Sequence, residues 1–300
     1  MKEYRPGIYA NIPFEEYNAL PYLRNSYLKK LGSSCPAAAQ IDNGDSPAMA
    51  IGRASHAFIL EGETEFNKSF LVLPADMPKK PTAAQDNAKK PSPESIYAVE
   101  MWNHFAMLAG NKEIISADDF AVIKGMKESI RSHDFARTLL KEGVSEQTAI
   151  FELVVAGQPV LCKVRPDRTP STKMAVLLDL KTCADASYRG FLNACYKFGY
   201  FHQAAMYIDG YNSAREVMIA DHGWNPVDNP PMDSFAFIAV EKKPPYCVAV
   251  YTLMGDNSLL IEGRSQLLQN VATELNCRRM GYYPAYQDAG AQELLPYSER

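Results

Sequence analysis

The chain has 300 residues, 47% apolar and 22% charged, a balance that allows a sizeable buried core and excludes both a mainly disordered chain and a small stapled scaffold. A formal net charge of −4 argues against a surface that grips nucleic acid over its whole extent, while leaving room for a local basic groove. The six cysteines, Cys35, Cys162, Cys183, Cys195, Cys247 and Cys277, show no CxxC spacing. Nothing at the start reads as a signal peptide, and no apolar run approaches the roughly 20 residues of a membrane span. The expectation is therefore a soluble cytoplasmic protein with reduced thiols and no membrane partner.

In chain order, Pro13–Tyr17 and Tyr27–Leu31 read as short helices, the second capped by Asn25-Ser26 and closed by Gly32 and Pro36. The spacing of Met49, Ile51, Ala54, Ala57, Phe58 and Leu60 predicts a helix over 46–60 that carries His56, with Gly52 and Ala54 admitting a close neighbour. A short strand over 70–73 precedes a proline-rich loop, 76–93, bearing Lys79-Lys80 and Lys89-Lys90. Helices follow over about 94–110 and about 117–141, the latter opened by Ser116 with Asp119 three residues on.

The period then changes. Segments 147–155 and 160–164 are rich in Val, Ile, Leu and Phe and are separated by Gly157-Gln158-Pro159, which predicts a hairpin. A polar break at 169–173 precedes a third strand, 175–181. Helical spacing returns over 187–214 with a break near Gly199. Two more strands, 234–240 and 246–253, flank Lys242-Lys243-Pro244-Pro245, and 257–277 reads as an amphipathic helix. The pattern predicts an α/β fold: one central mixed sheet flanked by helices, in a single domain over 1–300. Within it, residues 1–145 are mainly helical and carry His56, and residues 146–285 supply the sheet and its helices.

The chemistry concentrates in Val164-Arg165-Pro166-Asp167-Arg168 and Leu177-Leu178-Asp179-Leu180-Lys181-Thr182. Alternate strand residues share a face, so Asp179 and Lys181 project together while Leu178 and Leu180 point into the core. Asp167 comes beside Asp179 if the two strands pair. Two carboxylates and an ammonium at the end of an apolar strand suit phosphodiester hydrolysis: a hard divalent cation needs oxygen ligands, and the phosphate needs a positive partner as charge builds. The carbonyl of Leu180 is a further candidate ligand. Lys163, Arg165 and Arg168 lie close enough in sequence to hold phosphates. A bare DxK at a strand end is also what an exposed ion pair looks like, and Asp167 also suits a turn. A run of apolar residues leading straight into the charges favours a site.

These residues, together with the earlier Gly52-x-x-x-His56 and the later Gln203-x-x-x-Tyr207, resemble the RecB-type branch of the PD-(D/E)xK nucleases, whose fold is a restriction-endonuclease-like core. Within that branch the chain is most similar to the nuclease domain of exodeoxyribonuclease VIII (RecE) and RecE-like phage exonucleases. Asn25–Lys29 with Cys35-Pro36 and the turn Glu241–Tyr246 extend the likeness over about residues 8 to 285. The resemblance implies His56, Asp167, Asp179 and Leu180 as metal ligands and Asp167, Asp179, Lys181, Gln203 and Tyr207 as the catalytic set, with Glu152 as a supporting acid. It implies Mg2+, with Mn2+ as a substitute, and double-stranded DNA with a free end. It further implies digestion from 5′ to 3′ that leaves a 3′ tail for a RecT-like single-strand annealing protein, a homo-oligomer such as a tetrameric ring, and the cytoplasm of a bacterium or phage-infected host. Relatives with an iron-sulfur cluster carry a C-terminal cysteine trio; here only Cys277 falls there, so no cluster is expected, and no GxxxxGK[ST] occurs, so no ATP. Alternatives that stay open are a structure-specific or single-strand endonuclease on the same fold, a DNA-binding recombination module with a decayed site, and an α/β protein unrelated to nucleic acid.

Overall fold

The computed structural model describes residues 3–10, 12–41, 44, 47–170 and 174–286. The chain opens with β1 (Gly7–Tyr9), α1 (Phe14–Ala19), β2 (Leu23–Arg24), α2 (Asn25–Ser33) and α3 (Pro36–Ala39). Next, α4 (Pro47–His56) runs into a π-helical turn, Ala57–Glu61, and α5 (Glu63–Ser69) leads to β3 (Phe70–Val72). The proline-rich segment holds one short helix, α6 (Ala83–Asp86), locked by a reciprocal cap between Thr82 and Gln85. Then come α7 (Pro93–Ala109), β4 (Glu113–Ile115), α8 (Ala117–Ser132) and α9 (Asp134–Lys141). The single helix expected over 117–141 is two, because His133 leaves the helical region and its Nδ1 accepts the Ala136 N–H as a new N-cap.

The second half contains β5 (Val144–Ser145), β6 (Thr148–Val155), β7 (Gln158–Val164), β8 (Arg168–Thr169), β9 (Val176–Cys183), α10 (Tyr188–Phe198), α11 (Tyr200–His222), β10 (Ser234–Glu241), β11 (Val248–Met254) and α12 (Ser258–Met280). The β6–β7 hairpin turns one residue earlier than expected. Ala156 and Gly157 take φ of 50° and 75°, and Val155 pairs with Gln158, the backbone of a two-residue turn. Gly199 breaks the long helical stretch with φ of 60°, as its position implied. Ser46, the expected start of one helix, and residues 171–173 of the polar break lie outside the described residues.

The mixed α/β class holds, but the strands marked in the sequence fall in two sheets rather than one. A four-stranded sheet runs β1-β6-β7-β2, and a five-stranded sheet runs β11-β10-β9-β8-β5, with β9 and β10 parallel and β10 and β11 antiparallel. A small parallel pair joins β3 and β4. The chain therefore leaves the five-stranded sheet after β5, makes the β6–β7 hairpin in the other sheet, and returns at β8. Both faces of β9 and β10 are covered. Leu177, Phe235 and Phe237 pack with α10, α11 and α12 on one side, and Val176, Leu178, Leu180, Ala236 and Ile238 pack with residues of α4 and α8 on the other. A strand buried on both faces reads as the near-continuous apolar run seen in the sequence. Gly143 permits the return: with φ of +125°, a Cβ there would stand 2.4 Å from the Thr169 carbonyl oxygen. Gly52 has open space around it, so its expected close neighbour is absent among the described residues, although Ala54 is fully buried. No helix among the described residues is long and apolar enough to cross a membrane, and the six cysteines are free thiols.

Helix α11 is buried nearly all round, and its His202 is fixed by Nδ1 against Asn25 Oδ1 at 2.7 Å and Nε2 near Asn270 at 3.4 Å. Burial, assisted by the Lys29 charge, pushes this imidazole down to about 4. Its folded pKa lies below the unfolded value of about 6.5, so its contribution is complete above that value and is lost as pH falls toward 4. Between pH 7 and pH 5, urea unfolding is expected to show the wild type losing about 2 kcal/mol relative to His202→Gln, which keeps polar partners but does not titrate.

Candidate active site

The site forms where the chain crosses between its two sheets. Strand β8 touches β9 only through the pair Arg168 and Leu178, so the backbone of Leu180 projects beyond its end without a strand partner on that side. Two side chains take its place. The Leu180 N–H donates to Asp167 Oδ2 at 2.7 Å, and the Leu180 carbonyl oxygen lies 2.9 Å from His56 Nε2. The other ring nitrogen of His56, Nδ1, is 3.3 Å from the same Asp167 oxygen. Asp167 thus reaches β9 through the short strand that follows it, not through pairing of β7 with β9. His56 is the last residue of α4, where the helix widens into the π turn, a distortion often found where a side chain must be aimed.

Glu146 completes the cluster. It sits at the outgoing crossing with φ of 56°, and its N–H donates to the Asp167 carbonyl oxygen at 3.2 Å, so the outgoing and returning chains are tied at the site. One donor atom from each of His56, Glu146 and Asp167 falls within 4.8 Å of the others, a cage sized for one divalent cation. Next to this edge, on the face of β9 that α11 covers, Lys181 Nζ stands 2.6 Å from Asp179 Oδ2 and donates to Gln203 Oε1 at 3.0 Å, while the Gln203 amide donates to Asp179 Oδ1. Asp179 Oδ2 is buried and, despite the nearby ammonium, accepts no well-directed hydrogen bond among the described residues. Beneath the ammonium lies the ring of Tyr200, 4.6 Å from Nζ to centroid.

The buried acids of the site are perturbed in opposite directions. Burial pulls His56 down, but the Asp167 carboxylate outweighs it and raises the imidazole to about 9. Asp167 is held below the usual carboxylate range, burial being overcome by His56. That pair is satisfied. Glu146, by contrast, is pushed up to about 8 by burial and then by Asp167, and Asp179 is raised for the same two reasons despite Lys181. Burial would lower Lys181, yet Asp179 and Asp167 hold its ammonium charged. Two carboxylates raised by burial and by a third acid mark a place where a cation is favourable, and the oxygen and imidazole donors of His56, Glu146 and Asp167 fit a divalent ion.

The expected residues divide as follows. His56, Asp167 and the Leu180 carbonyl come together, and Asp179, Lys181 and Gln203 come together beside them; Asp179 is turned to Lys181 and Gln203 and is not in the tight donor cage. Tyr207 lies one turn beyond Gln203, its ring 6.0 Å from that of Phe235, with a hydroxyl held well above its usual pKa by burial and by Tyr17, Asp179 and Asp167. The basic trio needs correction. Lys163 is 1% exposed and donates to the carbonyls of Tyr17 (2.5 Å) and Leu20 (2.7 Å), capping the end of α1. Arg165 binds Thr148 Oγ1 and the Ile12 carbonyl and reaches within 3.9 Å of Glu146. Arg168 bonds the Glu142 carbonyl and Ser145 Oγ, fastening β8 to β5. Strand β7 ends at Val164, so Arg165 and Arg168 lie beyond it. Glu152, the expected supporting acid, is exposed on β6; Glu146 holds the place near the site, and Tyr200 was also missed.

A sheet strand bearing Asp179-x-Lys181, an acid delivered from the link between β7 and β8 and a histidine brought over both by α4 have the arrangement of a PD-(D/E)xK fold. The chain belongs to the family described as a PDDEXK-like domain of unknown function (DUF3799), whose profile matches residues 25–294. A solved structure from Eubacterium rectale described as a "Putative exonuclease" is similar over 96% of this chain and 97% of that one, at 12% identity and a TM-score of 0.56. SSO0001 is similar over 85% and 81% at 11% identity, with a TM-score of 0.32. No curated protein matches the chain.

Calorimetric titration with Mn2+ is expected to give an affinity at least about tenfold weaker for Glu146→Gln and unchanged for Glu152→Gln. Lys163→Met, which orphans buried carbonyls, is expected to lower stability by about 1–3 kcal/mol in urea and to leave Mn2+ affinity unchanged.

Proposed function

We propose that the chain is a divalent-metal-dependent nuclease that hydrolyses phosphodiester bonds of DNA. The observation that carries this reading is the buried Lys181 ammonium, fixed by Asp179 and Gln203 beside the donor cage of His56, Glu146 and Asp167. His56, Glu146 and Asp167 would hold a divalent cation, which would supply Lewis acidity toward a phosphate and a bound water. The protein's own groups do the rest. Lys181, kept charged, faces the negative charge that grows on the phosphate; Gln203 and the Tyr200 ring hold the ammonium in place, so no reorganisation is needed as charge develops. Asp167, clamped by the Leu180 amide and His56, keeps one carboxylate oxygen fixed in direction.

The finer reading is exonucleolytic: Mg2+-dependent digestion of linear duplex DNA from 5′ to 3′, leaving a 3′ tail for an annealing protein, by a ring-forming oligomer in the cytoplasm. The RecE-like motifs in the sequence support it. The test is release of acid-soluble nucleotides from end-labelled linear duplex with Mg2+, beside a closed circular control. Asp179→Ala and Lys181→Ala are each expected to lose at least about a hundredfold in rate, with digestion confined to linear DNA. Cleavage of the circle would replace the exonuclease reading by an endonuclease one, and equal activity of all three proteins would remove the site assignment.

A further inference from the structure

An aromatic run starts at the Lys181 ammonium and ends in solvent. Tyr200 lies under Nζ, and the ring of Phe198 stacks on Tyr200 with centroids 5.7 Å apart and an interplanar angle of 28°. Phe198 is the last residue of α10, is 43% exposed, and carries the Lys197 ammonium over its ring at 5.3 Å. Tyr196 and Tyr188, also exposed on this helix, turn to other sides of it, toward Phe201 and Tyr251. The helix has no acid within it; its charged residues are Arg189 and Lys197. From α2, the Lys29 side chain crosses the α10–α11 junction, its Cδ 3.0 Å from where a Cβ on Gly199 would stand. Its ammonium lies in the field of Lys181 and Asp179 and, burial first and Lys181 second, has its pKa lowered.

Large rings exposed beside lysines, continuous with a site that takes phosphodiesters, are what a single-stranded nucleic acid needs: a π face for the base and cations for the backbone. A base within a duplex has both faces stacked and cannot use such a ring, and at a duplex end only the last pair has a free face. We propose that Phe198, backed by Tyr200 and flanked by Lys197 and Lys29, is a stacking step that holds an unpaired base of the strand entering the active site. This rests on the nuclease reading and adds that the strand is single-stranded where it meets the site, so that a duplex end must fray before it is cut.

The test uses the full-length protein in chelator, so that nothing is cut, with a fluorescein-labelled 12-nucleotide oligo(dT) read by anisotropy and a matched oligonucleotide carrying 2-aminopurine read by quenching. Phe198→Ala, and Phe198→Leu, which keeps apolar volume without the ring, are expected to weaken binding about tenfold and to relieve the quenching. Phe198→Trp is expected to retain both, as is Met107→Ala, an exposed apolar residue on α7. In Mg2+ the loss in Phe198→Ala should fall on KM more than on kcat. If the wild type cuts DNA while Phe198→Ala and Phe198→Leu bind and quench as it does, the stacking step is wrong and the nuclease reading stands; that result would leave the exposed rings to a protein partner. If the wild type neither cuts nor binds, both fall together.

Discussion

The bond from the Leu180 N–H to the Asp167 carboxylate is the constraint on which the site depends. Strand β8 is too short to pair with β9 along its length, and a buried N–H left open there would cost more than most single contacts return. Asp167 fills that place because the chain has just returned from the β6–β7 hairpin, and the return is held by the Glu146 N–H on the Asp167 carbonyl. The same loss of a strand partner leaves the Leu180 carbonyl to His56, 124 residues away in the chain. A defect in sheet pairing thus gathers an imidazole, two acids and a backbone carbonyl from four separate segments.

The open edge of β9 and its α11 face then divide the work. At the crossing edge, His56, Glu146 and Asp167 bring an imidazole and two carboxyls within reach of one ion. On the helical side, Lys181 and Asp179 form a buried ion pair whose remaining valences go to Gln203 of α11. Burial of such groups is costly in itself. Their retention in a strand that leads in with Val176, Leu177 and Leu178 suits a site that takes a cation and a phosphate. Arg165, read in the sequence as a phosphate contact, belongs to this arrangement differently: it lies behind Glu146 and over the Tyr17 ring at 4.3 Å, linking the acid to the N-terminal segment.

Much of the α/β pattern was legible because period and punctuation agree: the doubly buried β9 as an apolar run, the β6–β7 hairpin from its turn, and the α10–α11 break from Gly199. Asp179, Lys181 and Gln203 stood out through strand alternation and a motif. Strands of two or three residues, such as β5 and β8, carry no period, and the split into two sheets depends on them. Glu146 was invisible for that reason. Nothing local separates it from Glu142 or Glu152; its role comes from the crossing between sheets. Lys163 misled because a lysine on a strand reads as solvent-facing, whereas its stem runs inward to the carbonyls at the end of α1.

The cation claim is tested most directly by an anomalous-difference map from crystals soaked in Mn2+. The expected result is a single strong peak in contact with His56, Glu146 and Asp167, with the Leu180 carbonyl turned toward it. A peak bound elsewhere, or none at saturating Mn2+ with these side chains ordered, would contradict it.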